Sequence, residues 1–86
     1  MAVNFFSTVN SLRDKLEEFR WIHRHGDGEA KLRPAVNHLQ EELNKARVLL
    51  DDVGEGSWKV FPDEQRWGYL LLLSLTDTVR HDIKNL

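Results

Sequence analysis

The chain has no cysteine, only two prolines and a single methionine in 86 residues. Without cysteine it has neither a disulfide framework nor a thiolate metal site, the devices on which small secreted domains usually depend, so a reducing cytoplasm is the expected setting. Long apolar runs are missing as well. The longest, around Leu70 to Leu73, falls far short of the roughly 20 residues that span a bilayer, and no charged segment followed by an apolar one opens the chain. Neither a membrane span nor a signal peptide is expected. A dominant sign of charge is lacking too: 12 Lys and Arg face 14 Asp and Glu, for a net charge of -2. There is thus no global attraction to nucleic acid or anionic lipid, and any such binding must be local.

What is present is 41% hydrophobic and 30% charged residues, enough for one compact domain and too few for two with separate cores. Phe5, Val9, Leu12, Leu16 and Phe19 recur at spacings of four and three, which predicts a helix over about 4–25 with one buried seam. Gly26 is placed to end it in the left-handed conformation. Pro34 suits a first helical turn, and Val36, Leu39, Leu43, Ala46, Leu50 and Val53 supply a second seam, so helix 2 is expected over about 34–52. The connector 54–62 has no helical period and is compatible with extended chain. Asp63 and Glu64 then give an acidic first turn to a third helix over about 63–85. Two connectors of about eight residues make an antiparallel three-helix bundle the natural assembly. Gly68, inside the third helix, points to close packing against a neighbour.

Constellations that carry chemistry are hard to find. His23, His25, His38 and His81 form no HExxH or His-x3-His pair, and His23 projects with Leu16 and Phe19 as a core-boundary residue. The loop His25 to Glu29 lacks the Gly-Lys-Ser/Thr of a phosphate loop and the alternating oxygen ligands of a calcium loop. Ser7, Ser11, Ser57 and Ser74 have no nucleophile signature around them. No catalytic residue, cofactor or metal is therefore expected, and the chain reads as a non-enzyme.

The charges are unevenly placed. Arg20, Arg24, Lys31 and Arg33 gather around the first connector against Asp27 and Glu29, whereas Asp51, Asp52, Glu55, Asp63 and Glu64 surround the second with only Lys59 opposing, a pattern that ordinary solvated loops also produce. In an up-down-up bundle these fall at opposite ends and give the domain a polar axis. A dimeric regulator that binds nucleic acid through the four basic residues is the alternative function, though a helix-turn-helix wants a basic recognition helix and helix 3 is the most apolar of the three.

The strongest pointer to function is an excess of apolar side chains. At about 100° per residue, Leu72, Leu75, Val79, Ile83 and Leu86 fall on one stripe of helix 3 with Leu71 at its edge, and Leu70 and Leu73 fall on the far side beside Arg66, Asp77 and Arg80. Trp21 lies nearly opposite the helix 1 seam and Val48 opposite that of helix 2. Trp67 is assigned to the core, and Trp58 and Phe61 are expected to cap the bundle end. Trp21, Val48, Tyr69, Leu70 and Leu73 are the expected partner-binding residues, with burial inside an irregular bundle as the competing explanation. The expected function is a protein-protein interaction module, an adaptor, regulator or inhibitor, that also self-associates as a homodimer through helix 3.

Overall fold

The computed structural model describes residues 4–26, 28–54 and 56–86. Asp27 and Glu55, which contribute to the charge pattern above, lie outside the described residues. Three helices pack against one another: α1 (Phe5–His25), α2 (Glu29–Val53) and α3 (Asp63–Lys84), with a 3-10 turn, Ser57–Val60, before α3. At 1.5 Å per residue α2 is about 37 Å long. It fits only along the long axis of a molecule measuring 45 × 19 × 18 Å, so the helices are aligned rather than crossed. This is an all-α three-helix bundle. The turn Gly26 to Gly28 is as short as that of a helix-turn-helix, but aligned helices are not the 90–120° crossing of that motif.

The core follows the predicted seams in the main, but Ala35 and Tyr69 join it and Val36, Val53, Leu75 and Ile83 are only partly buried. Phe5, Val9, Leu12, Leu16 and Phe19 of α1 meet Ala35, Leu39, Leu43, Ala46 and Leu50 of α2, and Tyr69, Leu72 and Val79 of α3 close the third side. Asn4 caps α1: its Oδ1 accepts from the Ser7 N–H at 3.2 Å. Gly26 ends α1 at φ 63°, ψ 37°, the left-handed conformation expected of it. An added Cβ would meet nothing within 4 Å, so the cost of a side chain there is purely conformational. Gly26→Ala is accordingly expected to cost about 1 kcal/mol and to lower Tm by about 4–8 °C, as read from a thermal melt.

Three local expectations are corrected. Helix α2 begins five residues before Pro34, at Glu29, which shortens the first connector from about eight residues to three. Proline takes a place inside the helix because its missing N–H would have bonded the carbonyl of Ala30, an exposed residue whose carbonyl can turn to water. The extra turn is held by Glu29 and Arg33, paired one turn apart at 2.6 Å, and by Leu32, which extends the seam inward. Around the second connector, residues 57–60 coil into the 3-10 turn instead of extending. Trp58 stacks on Tyr69 at 5.4 Å and Phe61 lies 6.0 Å from Phe5, so the two aromatics do fold back over the end of the bundle. Leu86, assigned to the inner stripe, is exposed beyond the last turn of α3.

Candidate functional site: the outer face of α3

Helices α1 and α3 run parallel in close register. At one end Gly68 lies against Phe5, where an added Cβ would come within 2.9 Å of the Phe5 Cβ; at the other, Arg20 Nε donates to Asp82 Oδ2 at 2.6 Å. This contact fixes the rotation of α3. Leu72, Thr76 and Val79 turn inward, and the Thr76 hydroxyl donates to the Leu73 carbonyl at 2.8 Å, which satisfies it inside the core. Of the four consecutive leucines only Leu72 is buried.

Leu70 and Leu73 remain 39% and 38% exposed, in agreement with their projection away from the inner stripe. Two residues join them that the sequence reading did not select: Leu71, 45% exposed, and Trp67, 65% exposed rather than in the core. Trp67 and Leu70 are three residues apart, so they project about 60° from each other around the helix, and that spacing was the available signal. Trp67, Leu70, Leu71 and Leu73 thus form one contiguous apolar face. A surface groove of about 340 Å³ adjoins it, lined by Trp58, Asp63, Arg66, Trp67 and Leu70. Contiguous exposed apolar patches larger than a few hundred Å² are rare on monomeric domains, and the largest patch of a domain is often functional.

Tyr69 does not belong to this face. It is 4% exposed, held between Trp58 and the edge of Phe5 at 5.7 Å, and its expected role in partner contact is corrected to a core role. Trp21 and Val48 are exposed but stand apart. Trp21 sits 16 residues along α1 from Phe5, about 24 Å from the level of Gly68. Its indole is stacked by His25 at 3.9 Å, whose Nδ1–H donates to the Trp21 carbonyl at 2.8 Å. Val48 is on the outer side of α2, where Lys45, Asp51 and Asp52 are its exposed neighbours.

Arg20 and Arg24 in the last turns of α1, and Lys31 and Arg33 in the first turns of α2, lie at the end of the bundle where α1 and α3 terminate. Cations are favoured at such C-termini. Two of the four are already engaged, Arg20 by Asp82 and Arg33 by Glu29. The groove at this end, about 520 Å³ and lined by Phe19, Arg20, His23, Arg24, His81, Asp82 and Asn85, faces the carbonyl ends of two helices, whose partial negative charge opposes a phosphate. Among the described residues no group of three or more His, Cys, Asp or Glu is placed to hold a metal ion, and no helix is long and apolar enough to cross a membrane. No protein-family model, curated protein or solved structure matches this chain.

Proposed function

We propose that this chain is a non-enzymatic protein-protein interaction module, a small adaptor, regulator or inhibitor, whose contact surface is the outer face of α3. The observation that carries this reading is the joint exposure of Trp67, Leu70, Leu71 and Leu73 on a helix whose opposite side is already fully packed. Burying those groups at about 25 cal/mol per Å² contributes several kcal/mol before the costs of association are subtracted. Tryptophan is also among the residues that most often dominate contact energies.

Capture from lysate on the immobilised chain, together with light scattering, tests the face. Leu70→Asp/Leu73→Asp is expected to weaken partner capture or self-association at least about 30-fold while helicity by circular dichroism is retained. Val48→Asp, on the isolated residue of α2, leaves both unchanged. If the double leucine variant stays folded and binds as before, the α3 face is not the contact surface.

A further inference from the structure

Along the outer side of α3 the residues Asp63, Arg66, Leu70, Leu73, Asp77 and Arg80 follow one another at spacings of three, four, three, four and three. That alternation is the spacing of a helix-pairing seam. All six are turned away from the core. Asp63 pairs with Arg66 and Asp77 with Arg80 within the helix, the second at 4.0 Å, through exposed side chains. The order of residue types, acid, base, leucine, leucine, acid, base, becomes its own charge complement when reversed.

We propose that the occupant of this face is a second copy of the chain, packed antiparallel about a two-fold axis passing between the levels of Leu70 and Leu73. The proposal rests on the contact-face reading above and adds its partner, orientation and register. With Leu70 opposite Leu73 of the second copy, Arg66 falls opposite Asp77 and Asp63 opposite Arg80, and the same pairs recur at the other end by symmetry. Four leucines are then flanked by two clusters of four charges, each alternating in sign. Trp67 comes level with the flank on which Ser74 and Thr78 of the second copy lie, side chains small enough to leave room for the indole. A parallel arrangement sets Asp63, Arg66, Asp77 and Arg80 each against its own kind, which is repulsive at all four levels.

Sedimentation equilibrium on three chains tests this. The wild-type chain dimerises. Asp77→Arg, which puts arginine opposite Arg66 at both ends of the seam, raises the dimer dissociation constant at least about tenfold. Adding Arg66→Asp to that chain returns the constant to within about threefold of wild type. The rescue cannot arise inside one chain, because Arg66→Asp also removes the partner of Asp63; in a parallel dimer the double variant sets acid on acid and arginine on arginine. Asp63, Asp77 and Arg80 are exposed and Arg66 is partly exposed, and circular dichroism checks that each chain stays helical. A monomeric wild-type chain, an Asp77→Arg chain that dimerises normally, or an absence of rescue overturns the proposal. If the wild-type chain is monomeric while its capture of another protein still depends on Leu70 and Leu73, the contact face stands and the self-pairing falls. If capture also ignores the two leucines, both fall.

Discussion

Leu72→Ala is expected to lower the free energy of unfolding by about 3–5 kcal/mol, whereas Leu71→Ala, one residue away, costs less than about 1 kcal/mol. The two leucines are chemically identical neighbours on one helix, so propensity and backbone terms are nearly equal and the difference reports burial alone. Leu72 is fully buried in the core shared by the three helices, and its truncation leaves a cavity there that aligned helices cannot collapse to fill. Leu71 has close to half its surface in water and loses few contacts. For a domain of this size the whole stability is on the order of 4–13 kcal/mol, so the first variant comes near the edge of folding and the second does not. Urea unfolding measures both: the midpoint falls sharply for Leu72→Ala with the slope unchanged, and barely moves for Leu71→Ala. Equal losses at the two positions would mean that the rotation of α3 described above is wrong.

Gly68→Val is expected to be comparably damaging, at about 3 kcal/mol, against the ordinary rule that replacing a mid-helix glycine stabilises. The backbone at Gly68 is helical and accepts any side chain, so the penalty comes from space. A Cβ there would sit 2.9 Å from the Phe5 Cβ and 3.3 Å from Phe6 Cε2, inside the 3.5–4.0 Å at which carbon atoms attract. The Phe6 ring can swing away, but the Phe5 Cβ is fixed to its backbone, and relieving the contact means moving the first turn of α1. That turn carries Phe5 into its cluster with Phe61 and Tyr69, so the aromatic cap over the bundle end opens with it. Gly68→Ala gains about 1 kcal/mol of helix propensity and still ends as a net loss. Thermal melts followed by tryptophan fluorescence detect both the stability change and the disturbance of the Trp58 stack on Tyr69.

The same pair of helices shows what a single sequence reveals and where it stops. The α1 seam, the left-handed stop at Gly26 and the inward course of Leu72 and Val79 were legible because they depend on helical period and on glycine's freedom, both local properties. The crowding at Gly68 was legible from its oddity within a helix. Pro34 misled because the local preference of proline for a first turn was outweighed by one more turn of packing through Leu32. Tyr69 could not be placed from the period of α3. It projects to the side of the inner stripe, and what covers it is Trp58, from a connector without any period to read. Leu70 and Leu73 were placed correctly on the outer side, but the full extent of the apolar face needed Trp67, whose projection at the edge of the inner stripe suggested the core.

Exposure of the α3 leucines and the sign pattern around them lead to one picture, in which the chain presents its third helix to a second copy and does so antiparallel. A dilution series of backbone amide NMR spectra, from about 1 mM to about 10 μM, addresses that picture residue by residue. Concentration-dependent shifts are expected to cluster between Asp63 and Arg80, strongest around Leu70 and Leu73, while the amides near Trp21 and Val48 stay fixed. Spectra that do not change with concentration, or changes centred on Trp21 or Val48, would contradict it.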